Sequence, residues 1–424
     1  MTSTFRIVPQ APTQPLPELA AFLEPFHVHF PRSEGPHALQ RYLTGLLTAL
    51  PHKNCQAIAE NVPGTSEQRL QGLLTAMAWD HEDLNRQRVQ LMARLPSDGD
   101  GALIFDDTGF AKQGKSSVGV ARQYSGTLGK VGNCQVTVNC HYAERTLAWP
   151  VATRLYLPEE WASDPTRRKT AQVPEDIAFQ TKPQIALGLL DQAKAWGLRF
   201  SCVVADADYG DNPNFLDGLE KRRQRYVAAV RCDFAVAKSR HGDDAHRADV
   251  LVASQAARSW RKVAWREGSD GWLHGRFVAV RCWRIRSSGH RRAGWLIGEQ
   301  TTEGKWKYYW SNLGADATLE RLVEYAHRRH WVEQYHQEAK GLLGWDQYQG
   351  RRWQGFHRQA VSVMLAYSFL VWREWHGRPE RARPGRPRRA FSPSAGSAAG
   401  VAAGGASPDR RLAAPGSGQG VAVA

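Results

Sequence analysis

The sequence predicts an α/β protein with a β-rich insertion, preceded by a helical domain, and three observations predict it. Short apolar runs that read as buried strands alternate with amphipathic helices between residues 101 and 231. Apolar residues recur at helical spacing from Ala38 to Leu95. Residues 232 to 312 are rich in Trp, Arg and β-formers and show no clear helical period.

Taken in order, residues 1–37 are Pro-rich at first and are expected to form an irregular arm. In "ALQRYLTGLLTAL", Leu39, Leu43, Leu46, Leu47 and Leu50 share one helical face, and Pro51 stops the helix. "NCQAIAENVPGTSEQRLQGLLTAMAW" gives two short helices broken at Pro63-Gly64, with Thr65 or Ser66 as cap. Residues 38–98 thus read as a helical, DNA-binding domain, with a plain helical bundle as the alternative. From Gly101, "ALIF" is a short buried strand ending at Asp107, and "NCQVTVNCHY" and "LAWPVATRLYL" alternate as strands. "KPQIALGLLDQAKAWG" is a helix ended by Gly197, followed by the buried strand "FSCVVAD", the helix "NPNFLDGLEKRR" and the strand "RYVAAVR". Helices resume with "ATLERLVEYAHRRHWVEQYHQEAKGLLG" and "GFHRQAVSVMLAYSFLVWREW". The α/β core therefore covers 99–231 and 313–376, interrupted by a β-rich insertion at 232–312. Residues 377–424 collapse to Arg, Pro, Gly, Ala and Ser and are expected to be a disordered basic tail.

Lys and Arg number 56 against 41 Asp and Glu, a formal charge of +15 that attracts polyanions, nucleic acid above all. Many of the 16 Trp lie beside Arg or Lys, which suits stacking on unpaired bases as well as ordinary core packing. Cys55, Cys134, Cys140, Cys202, Cys232 and Cys282 are dispersed without a C-x2-C pair, which reads as reduced thiols of a cytoplasmic protein. No signal-peptide profile and no bilayer-length apolar stretch is present, so no membrane partner is expected.

"ALIFDDTGFAKQGKS" carries two conflicting instructions. Asp106 and Asp107 pair at the end of an apolar run, while Gly109-x4-Gly114-Lys115-Ser116 matches a P-loop. A P-loop needs a helix starting at Gly-Lys-Ser, and the glycine-dense "SVGVARQYSGTLGKVGN" disfavours one and reads as hairpins. A P-loop NTPase stays as the remote alternative. The carboxylate reading takes Asp107 and Asp206, each at a strand end, with Glu333 on a helix that also presents Arg329, Gln337 and Lys340 on one face. Three converging carboxylates would hold two Mg2+ (or Mn2+) ions, with Arg329 and Lys340 gripping flanking phosphates. Each acid also has a plainer reading: an Asx turn for Asp107, a helix cap for Asp206 with Asp208 and Asp211, and a solvated position for Glu333.

"DDTGFAKQGKSSVGVARQYSGTLGKVGNCQVTV", "VVADADYGDNPNF" and "HWVEQYHQEAKGLLGWDQYQGRRWQGFHRQAVSVMLAYSFL" closely resemble bacterial insertion-sequence transposases of the DDE, RNase H-like type. They are similar to the branch with a β-strand domain inserted before the glutamate, and the similarity spans about residues 38 to 375. The resemblance implies an RNase H-like core in which the catalytic acids fall on Asp107, Asp206 and Glu333. Related transposases carry a Tyr-x2-Arg-x3-Glu-x6-Lys signature. Arg329, Glu333 and Lys340 match it, whereas the tyrosine slot is Ala326, with Tyr325 one residue early, and His330 stands where Trp is common. It further implies a homodimer that binds double-stranded DNA at terminal inverted repeats, cleaves there with two Mg2+ or Mn2+ ions, and joins the 3′-hydroxyls to target DNA. Lys112, Lys115 and Lys130 become candidates for backbone contacts, and Trp295, Trp306 and Trp310 for stacking on a distorted base. A nuclease of the same fold without strand transfer, and an inactive relative that only binds the repeats, remain as alternatives.

Overall fold

The first strand, β1 (Ala102–Ala111), is apolar on both faces through Phe105, so it must be covered on both sides. It is, in a computed structural model that describes residues 10–14, 16–241, 244–268, 271–286 and 288–377. The hairpin of β2 (Ala121–Ser125) and β3 (Lys130–Ala143), then β4 (Ala148–Leu155), build outward from β1 as antiparallel neighbours, with β3 paired to β1. On the other side β5 (Cys202–Ala205) runs parallel to β1, and β6 (Tyr226–Val230) parallel to β5. The "SGTLGK" turn joins β2 to β3, and Gly129 there takes a positive φ of 63° that a side chain would resist. Gly114, Lys115 and Ser116 lie in the loop between β1 and β2, and no helix begins at them, so the P-loop geometry is absent.

Strands β7 (Ala235–Ala237), β8 (Ala245–Arg247), β9 (Arg261–Gly268), β10 (Gly271–Ile285), β11 (Arg291–Gln300) and β12 (Trp306–Ser311) are not a separate layer. β12 pairs antiparallel with β6, and the strands join the core in one 12-stranded mixed sheet among the described residues. Burial of a charge reinforces this junction. The Arg284 side chain on β10, 2% exposed, donates to Asp217 and, at 3.0 Å, to Glu220 of the core.

The helices before the sheet are α1 (Pro17–Leu23), α2 (Glu34–Leu47), α3 (Cys55–Asn61), α4 (Glu67–Thr75) and α5 (His81–Met92). Ser66 caps α4 by accepting the Arg69 amide. Contrary to the expected irregular arm, α1 and the turn after it bury Leu19, Phe22 and Phe26; the apolar spacing in "ELAAFLEPF" prevails over the prolines. Short helices α6 (Glu159–Ala162) and α7 (Pro165–Ala171) lead to α8 (Lys182–Ala195), which a Thr181–Gln184 capping box starts. After β5 come α9 (Ala207–Gly210) and α10 (Pro213–Lys221). The insertion contains α11 (Ala248–Ala253), a helix its β-rich composition hid. The long helical stretch expected from 317 to 344 is instead α12 (Leu319–His327) and α13 (His330–Gly341), parted at Arg328 and Arg329.

α14 (Trp353–Gly377) is buried almost throughout and packs on β4, α2, α4 and α5, so the N-terminal helices rest on the core. Arg88 of α5 is fully buried there and donates to the carbonyls of Pro150 and Val151, at 2.6 and 2.8 Å, and to Ser368. The two faces of β1 have different cover. Leu103 and Phe105 pack with Ile185, Leu189 and Phe215 of α8 and α10, while Ile104 packs with Val204, Leu322, Val323 and Val332 of β5, α12 and α13. The expected tail lies almost wholly outside the described residues.

Replacing Arg284 by Ala removes the most buried partner of Asp217 and Glu220, which keep Arg286 and Arg292, and is expected to destabilise the protein by about 1–3 kcal/mol. A urea midpoint that barely moves would show that the junction is held by strand pairing alone.

Candidate active site

Parallel pairing delivers the first two acids. The β1–β5 register ends at Phe105 opposite Ala205, so Asp106 and Asp206 follow as lateral neighbours. Alternation along β1 turns Asp106 to the side that carries Ile104, the side covered by α12 and α13. There Arg329, between these helices, meets it: Nη1 lies 3.2 Å from Asp106 Oδ1 and 3.3 Å from Asp206 Oδ2. Nη2 of the same guanidinium donates to Glu333, one turn along α13. One arginine therefore touches three carboxylates.

Asp107 faces the other way. It sits mid-strand, accepts from the Tyr209 hydroxyl, and pairs with Lys182 Nζ at 2.7 Å. The structure thus brings Asp106, and not the expected Asp107, together with Arg329 and Glu333, because a one-residue step in a strand crosses the sheet. Nor does Asp107 form an Asx turn. The plainer reading of Asp206 does hold in part: Oδ1 caps α9 through the amides of Asp208 and Tyr209, leaving Oδ2 for Arg329. Asn212, rather than Asp206, caps α10. Gly210 lets this turn lie flat on β6, where a Cβ would come within 1.8 Å of the Ala229 carbonyl oxygen.

Burial first, with Asp206, Asp107 and Glu333 adding and Arg329 opposing, holds the Asp106 carboxyl well above the usual carboxylate range. Burial likewise raises Asp206, again against Arg329. His336 Nδ1 lies 3.7 Å from Asp106, and burial, helped by Lys340 and Arg329, pushes that imidazole down to about 3, so it stays neutral. Asp206, Asp208, Lys307, Tyr309, Arg329 and Glu333 line a cavity of about 410 Å³. A larger one, about 830 Å³, lies beyond His327 and His330 and holds none of the three acids, so size does not locate the chemistry.

The remaining expected site residues separate. Lys340 is tied inward: its Nζ donates to Thr108 Oγ1 at 2.6 Å, to the Gly109 carbonyl at 2.9 Å and to Thr127 Oγ1 at 3.1 Å. It clamps α13 to β1 and to the β2–β3 turn. Lys112 is spent on the Tyr348 carbonyl at 2.5 Å, whereas Lys115 and Lys130 are exposed. Trp295 does not line the acid cavity; its indole donates to the Gly314 carbonyl and Arg281 covers its ring. Trp310 is fully buried against Phe234, and Trp306 is half exposed beside Trp260. Ala326, in the tyrosine slot, lines the acid cavity, while Tyr325 one residue away donates to Asp100 at 2.6 Å. The single-residue shift therefore turns the phenol out of the site.

A family model described as DDE superfamily endonuclease matches residues 25–271, and one described as transposase DDE domain matches residues 180–369. The chain belongs to the DDE superfamily of endonucleases. The resemblance to insertion-sequence DDE transposases read from the sequence is borne out. A probable transposase for insertion sequence element IS701 from Microchaete diplosiphon is 26% identical over 330 residues, 75% of this chain and 78% of that protein. Among solved structures, the piggyBac transposase in a synaptic complex with hairpin DNA aligns over 86% of this chain and 80% of its own, at 10% identity and a TM-score of 0.38. Among the described residues no helix is long and apolar enough to cross a membrane.

DDE endonucleases typically use divalent metals, and the donor set fits them by type: Asp106, Asp206 and Glu333 offer hard carboxylate oxygens around a cation. By position, no three such side chains among the described residues converge on one point as they stand. The guanidinium of Arg329 lies between them.

Tyr209, Lys182 and Thr127 are parts of the site that sequence reasoning missed. Tyr209 and Thr127 lay inside the quoted blocks, but nothing in spacing alone tied them to Asp107 or Lys340.

Lys340→Met is expected to cost about 1–3 kcal/mol of stability, since it leaves Thr108 and the Gly109 carbonyl without their donor. If the clamp reading is right, DNA affinity measured against salt keeps its slope. A slope reduced by about one would mark Lys340 as a phosphate contact instead.

Proposed function

We propose that this chain is the transposase of its own insertion sequence, cutting the ends of the element and joining the freed 3′-hydroxyls to target DNA. Asp106, Asp206 and Glu333 are its metal-holding carboxylates, in a core of the RNase H-like type. The single observation that carries this reading is the contact of one guanidinium with all three acids. Supporting the core assignment, the order β4-β3-β1-β5-β6 joins an antiparallel meander to two parallel strands, with α8 and α10 as crossovers.

Mg2+ or Mn2+, when bound, would supply the charge that favours an attacking oxygen and steadies a leaving one. The chain's own residues do the rest. Asp206 is fixed in direction by capping α9, and Asp106 is fixed by the sheet. Glu333, half exposed on α13, has the freedom to close on the site. Asp107 holds Tyr209, and so the turn that carries Asp206. Lys115 and Lys130 offer exposed charge for the double-stranded DNA backbone. Two ends must be cut and joined in concert, so the reading implies two copies of the chain on DNA.

The decisive comparison is between the adjacent aspartates, using purified protein, DNA carrying the element's ends, and Mg2+ or Mn2+. Asp106→Asn and Glu333→Gln are expected to reduce cleavage to the level seen without protein. Asp107→Asn, which acts through Tyr209, is expected to lose about 10–100-fold. Background-level cleavage by Asp107→Asn alongside an active Asp106→Asn would reverse the assignment.

A further inference from the structure

Asp106, Asp206 and Glu333 already hold a cation, and it is part of the chain. Arg329 makes an ion pair with each of them. A guanidinium stays charged at any accessible pH and presents several directed N–H donors at once, so it can satisfy several carboxylates together. Its position also leaves it room to go elsewhere. Arg329 is the residue just ahead of α13, and its side chain, 31% exposed, lines the acid cavity.

Resting on the reading that these three acids take divalent cations, we infer that Arg329 is a stand-in cation that couples metal loading to DNA. In the free protein the guanidinium occupies the carboxylates. Removing it breaks three charge-assisted contacts, so divalent ions load weakly until Arg329 has another anion to bind. A DNA phosphate beside the cavity is that anion, and guanidinium binds phosphate as well as it binds carboxylate. Metal and DNA therefore strengthen each other's binding, and the coupling is reciprocal by linkage. The consequence is selectivity: a site charged only when a phosphate has drawn Arg329 out is idle in the absence of DNA.

The test follows Mn2+ binding by the loss of the free ion's paramagnetic resonance signal, on the full chain. Wild type, Arg329→Ala, Arg329→Lys, Lys307→Met, Asp106→Asn and Asp206→Asn are each titrated with and without a duplex carrying the element's terminal repeat. For wild type, the duplex is expected to tighten Mn2+ binding about tenfold or more. Without DNA, Arg329→Ala is expected to bind Mn2+ about tenfold more tightly than wild type, and to gain less than about twofold from the duplex. Arg329→Lys keeps the charge but not the planar fork; it should remain folded and fall between the two. Lys307 lines the same cavity but pairs with none of the three acids, so Lys307→Met should stay within about twofold of wild type. An Arg329→Ala protein that binds Mn2+ no more tightly, or keeps its coupling to DNA, overturns the stand-in role. So does a Lys307→Met effect as large as that of Arg329→Ala. Loss of Mn2+ in Asp106→Asn and Asp206→Asn would leave the carboxylate reading standing in either case. Unchanged Mn2+ affinity in both aspartate variants overturns that reading itself.

Discussion

Three acids gathered around one guanidinium set the terms for the structure near them. Two like charges about 4 Å apart repel by about 4 kcal/mol at an effective dielectric of 20. That is a large part of the roughly 5–15 kcal/mol by which a folded protein is stable. Burial raises Asp106 and Asp206 further out of the ordinary carboxylate range, and Arg329 is the nearest opposing charge. Such a cluster persists only on a frame that does not let its members drift apart. Adjacent parallel strands fix Asp106 beside Asp206, and α13 brings Glu333 to them. Lys340 then locks α13 to β1 at Thr108 and Gly109, two and three residues past Asp106.

The paired aspartates illustrate how one sheet serves two purposes. Asp106 and Asp107 are consecutive, so they face opposite sides, and each side supplies its own cation. Arg329 meets Asp106 from the α12–α13 side. Lys182 meets Asp107 from the first turn of α8, a place where the helix dipole disfavours a positive charge and a carboxylate relieves it. The Tyr209 hydroxyl completes the second set and connects it to the first, since Tyr209 lies in the turn that Asp206 caps. Asp107 therefore bears on the geometry of Asp206 without sharing Arg329 with it.

How much of this was legible in the sequence depends on whether the signal was local. The caps at Ser66 and Asn212, the hairpin at "SGTLGK" and the helix that Gly197 ends all follow from short-range chemistry. The family-like blocks that carry the three acids were legible as well. The choice between Asp106 and Asp107 was not. "ALIF" is apolar at every position, so alternation carries no information on which face a following residue takes, and only the register with β5 supplies it. Lys340 looked like a phosphate contact because its three partners come from β1 and from the β2–β3 turn, more than 200 residues away. How the insertion joins the core was hidden for a similar reason. Its link to the core is a strand pairing between Tyr226–Val230 and Trp306–Ser311, reinforced by a buried arginine whose partners are distant in sequence.

The charge of the whole chain and the charge of the site now oppose each other in a useful way. A formal +15 draws a polyanion toward the protein, but a phosphodiester nearing Asp106, Asp206 and Glu333 meets like charge. In the proposed function, long-range attraction is therefore enough for DNA to bind and not enough for it to be cut. On that reading, reaction turns on the cavity itself, where carboxylate repulsion would be cancelled by cations as the phosphate arrives. Arg329 stands at that point, bonded to the acids and next to solvent. In the proposed function, the side chain that neutralises the acids in the free protein is also the one positioned to receive the phosphate, so exchanging one anion for the other opens the carboxylates to metal.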